Sequence, residues 1–233
     1  MSDYTLYYWP VPFRGEFIRA ILAHAGKRWD EPDVDALTQA MEAAPTDQPV
    51  PFMGPPVLVD RANGFTVSEM PAIALYLGET LSLVPDTAEG RAMTVKITAD
   101  ANDVIDEITL DGGREMWTPE SWAKFQPRLK RWMAIWEAGA LAHGVTKDGG
   151  FLLDGGAIGV ADIITATLWS TLRRVLPGTG TLLDAEAPLV ANLSRRVWTT
   201  PALAAWDRES VRLYGDSYCA GQIEKSLKKV ANT

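Results

Sequence analysis

The stretch YTLYYWPVPFRGEFIR, residues 4–19, decides the fold of the first part of the chain. Its opening run YTLYY is rich in aromatic and β-branched residues, a composition typical of a β-strand. Pro10 and Pro12 end that strand, because proline has no N–H for a sheet ladder and breaks helix interiors. The segment RGEFIRAILAHAG then has apolar residues at helical spacing and ends in Gly26, a typical C-terminal cap. The stretch therefore predicts a strand, a rigid turn and a helix.

The residues that follow predict more strand and helix up to about residue 82. Asn63-Gly64 is the strongest hairpin signal in the chain, because both residues accept the positive φ angles of a tight turn. Several prolines precede this hairpin and exclude a helix there. The patterns predict a helix over 35–44, strands over 57–59 and 65–67, and a helix over 68–81. These elements predict a small α/β unit, which we assign to residues 1–82.

The remainder of the chain shows helical spacing and no further convincing strand pattern. Apolar residues recur three or four positions apart along 93–108, 122–136 and 160–175. Two more helices are predicted over 188–200 and 201–215, each with a proline in its first turn. We assign residues 89–233 to an all-α unit. The predicted fold class is therefore α/β plus all-α.

Composition excludes several classes of protein. The net charge of −8 and pI near 4.8 oppose nucleic-acid binding, which needs clustered basic residues. A single cysteine cannot form an internal disulfide, and the two histidines show no metal-ligand spacing, so we expect no metal. No apolar run is long enough to span a membrane, and the N-terminus lacks the pattern of a secretory signal. A cytoplasmic location is expected.

Four stretches, in this order, resemble cytosolic glutathione transferases over nearly the whole chain. They are YWPV with an arginine six residues after its tyrosine, GPPVLVD, SEMPAIALYLGETLSLVP, and IGVADIITATLW with APLVANLSRRVWTTPALAAW. The first is similar to the tyrosine-type classes, and we expect a bacterial member. The resemblance implies an N-terminal thioredoxin-like domain that binds glutathione. It also implies a helical-bundle domain that forms an apolar co-substrate site, and a homodimer.

Two tyrosines at the end of the first strand are candidates for chemistry. Tyr7 and Tyr8 point to opposite faces of a strand, so their position does not choose between them. A free thiol has a pKa of about 8.5, and a phenol that donates a hydrogen bond to sulfur favours the thiolate. The resemblance assigns this role to Tyr8 and an assisting role to Arg14. Alternatively, Tyr8 only packs between the two units, and Arg14 is only a surface residue at the start of a helix.

The resemblance also implies the residues that hold glutathione. Pro56 matches a proline that follows a cis peptide bond, and Pro55 matches the residue that meets the cysteinyl part of glutathione, although proline offers only its carbonyl. Glu69 matches the acceptor of the γ-glutamyl amine. Met70 stands where a serine or threonine hydroxyl would bind the γ-glutamyl carboxylate, which leaves its backbone N–H at a helix start. Ser68 is a candidate replacement.

Several further residues could have either a functional or a structural role. Trp9, Phe13 and Trp117 are expected to wall the apolar co-substrate site, although most of the tryptophans belong to the core. Asp103 lies on the helix that in several classes reaches the partner subunit's glutathione, and a solvated acidic stripe is the alternative. Asp162 is expected to cap a helix. No lysine or arginine lies between residues 29 and 61, where the family often holds the glycyl carboxylate.

These features predict a glutathione S-transferase that conjugates glutathione to an electrophilic apolar molecule, as in detoxification. Peroxidase or isomerase chemistry would use the same thiolate and stays open. The alternative to an enzyme is a ligand-binding protein of the same fold with little or no catalysis. Met70 and the lack of a lysine or arginine between residues 29 and 61 favour this alternative. A third possibility is a protein that uses this fold to tether partners in a larger complex, but nothing in the sequence specifically supports it.

Overall fold

The computed structural model of the protein describes residues 1–154 and 156–231. Residues 155, 232 and 233, which belong to the predicted all-α unit, lie outside the described residues. None of the described helices combines the length and the apolar character that a membrane-crossing segment needs.

The first domain is a four-stranded mixed sheet with three helices, which confirms the α/β prediction. The elements are β1 Tyr4–Tyr7, α1 Phe13–His24, β2 Trp29–Asp30, α2 Val34–Glu42, β3 Val57–Asp60, β4 Thr66–Ser68 and α3 Met70–Thr80. Strand β1 runs parallel to β2 and antiparallel to β3, and β4 pairs antiparallel with β3, so that the strand order is β2-β1-β3-β4. Strand β2 has two residues and lacks an alternating pattern, so sequence patterns indicated it only weakly.

The second domain is helical, which confirms the all-α prediction. Its elements are α4 Ala88–Ile108, α5 Leu110–Gly113, α6 Pro119–Ala142, a 3-10 turn Leu152–Asp154, α7 Val160–Val175, α8 Pro177–Glu186, α9 Pro188–Trp198, α10 Pro201–Tyr214 and α11 Gly221–Ala231. Helix α7 is buried along most of its length and packs against α4, α8 and α9. Sequence patterns did not indicate α8, because its segment PGTGTLLDAE contains two glycines and two threonines, which are weak helix formers.

The two domains meet along helix α1. This helix packs against α3 of its own domain and against α7 and α10 of the helical domain. Eight consecutive residues from Gly15 to Leu22 are buried, so the helix is covered on all sides rather than on one face. The predicted domain limits at 82 and 89 stay predictions, although α3 ends at Thr80 and α4 begins at Ala88.

Asp162 caps helix α7, as the sequence predicted. Its Oδ1 accepts a hydrogen bond from the backbone N–H of Leu152 at 2.8 Å, and its Oδ2 accepts one from Gly159 at 3.0 Å. Burial raises the pKa of the Asp162 carboxyl to about 6, because the loss of solvation outweighs these two hydrogen bonds, which favour the carboxylate.

Replacing Asp162 with asparagine should change how stability depends on pH. The carboxyl pKa rises from 3.8 to about 6 on folding, so the folded state binds more protons in that window. The free energy of unfolding contributed by this group therefore falls as pH rises from 4 to 6. Asp162→Asn should remove that fall and lower the free energy of unfolding by roughly 1–3 kcal/mol, because its NH₂ faces a backbone N–H without an acceptor.

Urea unfolding at pH 4 and pH 7 measures this prediction. Comparing the pH dependence of Asp162→Asn with that of the wild type isolates this carboxyl from the other titrating groups. Asp86→Asn, at an exposed loop position, is the matched control and should keep the wild-type dependence. An identical pH dependence in Asp162→Asn and the wild type would contradict the prediction.

Candidate functional site

The strand register brings the ends of three strands together at one end of the sheet. Tyr7 pairs with Val57, and Val57 pairs with Ser68 on its other side. Neighbouring strands lie about 4.8 Å apart, so the residues that follow β1 and β4 and precede β3 leave the sheet side by side. Those residues are Tyr8, Glu69 and Pro56. The topology thus brings together positions far apart in the sequence that were predicted to act in one site.

Tyr8 lies buried at the start of helix α1, with 4% of its surface exposed. Its hydroxyl oxygen accepts a hydrogen bond from the backbone N–H of Arg14 at 2.9 Å, which leaves the hydroxyl hydrogen to be donated. Its ring lies against Gly15, where a Cβ atom would be 2.3 Å from Tyr8 Cδ1. Glycine at position 15 is therefore what allows this close approach of ring and helix.

The Tyr8 hydroxyl stays protonated at neutral pH. Burial raises its pKa to about 12, although the Arg14 cation and the Arg14 backbone N–H both favour the phenolate. A protonated phenol can donate a hydrogen bond to an anionic atom, whereas a phenolate would repel it. The site is thus suited to stabilise a negative charge placed beside the hydroxyl.

Arg19 holds the loop between β1 and α1, which carries Tyr8 into the site. Its guanidinium donates to the carbonyl oxygens of Val11 at 2.7 Å and Trp9 at 3.2 Å. The same group forms a bidentate pair with Glu31, through Nε to Oε1 at 2.8 Å and Nη2 to Oε2 at 2.6 Å. The Arg19 side chain is fully buried. Sequence reasoning missed this residue, although an arginine within the apolar run FIRAIL was a visible signal.

Arg14 connects the start of α1 to helix α4 of the other domain. Its Nε donates to Asn102 Oδ1 at 2.9 Å, and its Nη2 forms an ion pair with Asp106 Oδ1 at 2.9 Å. Its guanidinium carbon lies 4.8 Å from the centre of the Phe13 ring. Arg14 is therefore a domain-bridging residue whose backbone N–H, rather than its guanidinium, contacts the Tyr8 hydroxyl.

The predicted cis peptide bond lies directly before Pro56, at the start of β3. Pro56 also connects this strand to the start of α3 through a backbone hydrogen bond. The Pro55–Pro56 peptide bond is cis, which confirms the prediction. The Pro56 carbonyl accepts a hydrogen bond from the Glu69 backbone N–H at 3.2 Å. The Glu69 side chain is exposed and does not cap α3. The N–H groups in the first turn of α3 thus have no side-chain cap, and such helix starts favour an anion.

Met70 and Ser68 flank Glu69 in different surroundings. Met70 is fully buried in the core, and Ser68 is half-buried at the end of β4. The Met70 side chain therefore contributes packing, and only the backbone of this residue remains for recognition. Pro55 is half-buried.

The three aromatic residues expected at a co-substrate wall occupy different places. Phe13 packs edge-on against Tyr218 with ring centres 5.5 Å apart, and Trp9 is half-buried in the loop after β1. Trp117 is buried in the helical domain, where its indole nitrogen donates to the Ile108 carbonyl at 2.7 Å. Its ring contacts those of Trp122 and Phe125. The core position of Trp117 differs from the expected position at a cleft wall.

A cavity of about 440 Å³ lies beside Tyr8, and its walls differ from those predicted. Trp29, Trp206 and Tyr214 line it together with Tyr8, whereas Trp9, Phe13 and Trp117 do not. Trp29 and Trp206 meet with ring centres 5.3 Å apart. Sequence reasoning missed these aromatic residues, because Trp29 follows α1 and the other two belong to α10.

Asp103 lies in a second, wider groove. This groove of about 930 Å³ runs between α4 and α6, and Tyr8 does not line it. Asp103 is exposed there, beside Trp132 and Arg128. Such a position would leave its carboxylate accessible to a neighbouring subunit.

Cys219 lies half-buried just before helix α11. Burial, followed by the nearby Glu224 carboxylate, raises the pKa of the Cys219 thiol to about 12, so the thiol is a poor nucleophile. Among the side chains that the structure describes, no group of three or more histidine, cysteine or carboxylate side chains could hold a metal ion.

Known proteins resemble this chain in sequence family and in fold. The family model described as "Glutathione S-transferase, C-terminal domain" matches residues 93–230. NaGST-2 is similar in structure with a TM-score of 0.70 and 22% identity, over 89% of this chain and 97% of that chain. Two others cover the same shares of each chain: monomeric Na-GST-3 of the hookworm Necator americanus, with a TM-score of 0.70 and 21% identity, and a GST of the nematode C. elegans, with 0.69 and 22%. No curated protein matches the chain in sequence.

Proposed function

The chain belongs to the glutathione S-transferase family, and on this basis we propose that it activates glutathione as a thiolate and conjugates it to an electrophilic, apolar small molecule. One observation carries the proposal: Tyr8 presents a buried, protonated hydroxyl at the start of α1, with its oxygen already bound by the Arg14 N–H. The tyrosine-type class, a bacterial source, a cytoplasmic location and a role in detoxification are parts of the same proposal.

The Tyr8 hydroxyl would act on the sulfur of glutathione. By donating a hydrogen bond to the thiolate, it lowers the thiol pKa, and each unit corresponds to about 1.36 kcal/mol of preferential interaction. The thiol proton leaves to water. The sulfur then forms a bond to an electrophilic carbon, and the leaving group, such as a halide, departs with the bonding electron pair. Arg14 assists through its N–H to the Tyr8 oxygen and through its positive charge.

The remaining residues at the sheet end would hold the peptide. The Pro55 carbonyl faces the cysteinyl part, and the Glu69 carboxylate binds the γ-glutamyl amine. The backbone N–H of Met70, at the uncapped start of α3, binds the γ-glutamyl carboxylate with Ser68 beside it. In a homodimer, Asp103 of the second subunit adds an acceptor for the amine. Sedimentation equilibrium tests the dimer, and a species with the mass of one chain at micromolar concentration would contradict it.

Two measurements on the wild-type protein test the proposed function. Glutathione should quench or enhance tryptophan fluorescence saturably, and glutathione with 1-chloro-2,4-dinitrobenzene should yield the thioether and chloride faster than without protein. S-methylglutathione is the matched control ligand, because it binds through the same peptide groups and has no thiol to transfer. Saturable binding with no rate increase would overturn the transferase and favour the second candidate.

The second candidate is a ligand-binding protein of the same fold. The buried Met70 favours it, because a missing charge-assisted hydrogen bond costs about 1.5–3 kcal/mol, or roughly ten- to a hundredfold in affinity. Residues 30–60 contain no lysine or arginine that could bind the glycyl carboxylate of glutathione, which would weaken glutathione binding further. Binding of an apolar fluorescent dye without any response to glutathione would support this candidate.

A further inference from the structure

The cavity beside Tyr8 combines aromatic walls with carboxylates. Four aromatic residues line it, namely Tyr8, Trp29, Trp206 and Tyr214. Among the described residues that line it, three are acidic, Glu31, Asp33 and Glu209, and none is a lysine or an arginine. Its volume of about 440 Å³ lies within the range of small-molecule sites.

Hydrogen bonds fix the two indole rings so that their polar edges are satisfied. Trp29 Nε1 donates to Glu31 Oε1 at 2.9 Å, and Trp206 Nε1 donates to Glu16 Oε1 at 3.1 Å. Neither indole N–H therefore needs a ligand as its acceptor. What the two side chains offer the cavity is their aromatic surface, whose negative quadrupole attracts a cation.

The carboxylates around the cavity differ in how strongly they are neutralised. Glu31 is paired with the buried Arg19, so this pair adds no net charge. Glu209 is paired with Arg212, but both side chains are exposed and such pairs are weak. Asp33 accepts a hydrogen bond from Ala36 N at 2.9 Å and has no ion-pair partner among the described residues. The cavity therefore keeps an acidic excess, and the net charge of −8 adds to it at long range.

An apolar rim completes the cavity. Val34 is 42% exposed and Leu213 is 47% exposed, and both line it together with Pro10 and Pro32. A purely apolar ligand would match the rim and the rings but would leave the Asp33 carboxylate without a counter-charge. A ligand with an aromatic body and a fixed positive charge satisfies all three features.

We propose that this cavity binds small aromatic molecules that carry a permanent positive charge, and that such molecules are a co-substrate class of the enzyme. The co-substrate role rests on the proposed function, because Tyr8 both lines the cavity and would activate glutathione. The sulfur of glutathione forms a bond to a carbon of the bound cation, and the leaving group departs with the bonding electron pair. The cationic group itself is unchanged in the reaction.

Three probes of similar size test the binding site. Phenyltrimethylammonium is the cation, tert-butylbenzene is its neutral counterpart of the same shape, and benzenesulfonate is the anion. Quenching of tryptophan fluorescence reports binding of each, since Trp29 and Trp206 form the walls. We expect the cation to bind about fivefold or more tightly than the neutral probe, in line with a cation–aromatic contact at a solvent-accessible site, and the anion to bind most weakly.

A pair of aspartate variants separates local charge from net charge. Asp33→Asn removes one charge from the cavity while asparagine keeps the helix cap, since both side chains cap equally well. We expect it to weaken binding of phenyltrimethylammonium about two- to fivefold, as for loss of a partly screened charge pair. Asp35→Asn removes the same charge two residues away, at an exposed position that does not line the cavity, and should bind as the wild type does.

The outcomes distinguish this inference from the proposed function. Equal affinities for cation and neutral probe, or equal effects of the two aspartate variants, would overturn the cation site even in a protein that conjugates 1-chloro-2,4-dinitrobenzene. A cation preference in a protein without conjugation would support the binding site and overturn its co-substrate role. A larger acceleration over the reaction without protein for an aryl halide with a trimethylammonium substituent than for its neutral counterpart would support both.

Discussion

Tyr8→Phe is expected to lower kcat/KM for glutathione conjugation by about a hundred- to a thousandfold, the range found when one preorganised donor to a developing anion is removed. The change deletes one oxygen atom and keeps the ring that packs against Gly15. Without the hydroxyl, the bound thiol should ionise near its ordinary pKa of about 8.5. The rate should therefore rise with pH over a higher range in the variant than in the wild type.

Tyr7→Phe is the control for this measurement. Tyr7 is the last residue of β1, directly before Tyr8, and it is half-buried. Because side chains alternate along an extended chain, it points to the opposite face from Tyr8. It should keep wild-type kcat/KM and the wild-type pH profile. If Tyr8→Phe retained more than a third of the activity, or lost activity with an unchanged pH profile, the thiolate role of Tyr8 would be wrong.

Arg19→Gln is expected to lower the free energy of unfolding by about 3–5 kcal/mol, because it removes one partner of a buried ion pair. The Arg19 guanidinium is fully buried and bonds Glu31 and two loop carbonyls, and Glu16 Oε2 lies 3.9 Å away. Loss of these bonds should also loosen the loop that follows Tyr8. Conjugation activity should fall even at temperatures where the variant remains folded. Urea unfolding and kinetics below the midpoint measure the two effects.

A double-mutant cycle separates the pair from the burial of one charge. Glu31→Gln combined with Arg19→Gln should be less destabilised than the sum of the single variants, because neither charge is then left without its partner. Arg28→Gln is the control, since Arg28 is 70% exposed and its contact with Asp3 is 3.9 Å long. It should change the free energy of unfolding by less than about 0.5 kcal/mol. Additive single effects would contradict a specific Arg19–Glu31 pair.

Much of the fold could be predicted because its determinants are local. The first four residues of the run YTLYY form β1, the Asn63-Gly64 turn joins β3 to β4, and prolines open α9 and α10 as expected. These elements depend on backbone preferences of a few adjacent residues. Strand β2 was only weakly indicated and helix α8 was missed for the converse reason, since their segments have weak preferences and depend on packing against β1 and α7.

The candidate site was predictable in part. Tyr8, Pro56 and Glu69 each follow or precede a recognisable strand, so that a correct sheet topology brings them together. The contacts that position them were not predictable. Arg19 bonds Glu31, the residue directly after β2, and Trp206 of α10 bonds Glu16 across 190 residues of sequence. Such contacts depend on the tertiary packing around α1, which no local pattern encodes.

The sequence by itself determined the two domains, the order of most elements and the tyrosine at the end of the first strand. These follow from backbone preferences and apolar periodicity, which act over a few residues. The tertiary structure alone decided which aromatic rings surround Tyr8, which buried cation holds its loop, and where acidic charge remains unpaired. Burial removes water from these groups, so that their energies depend on neighbours brought together by packing rather than by position in the chain.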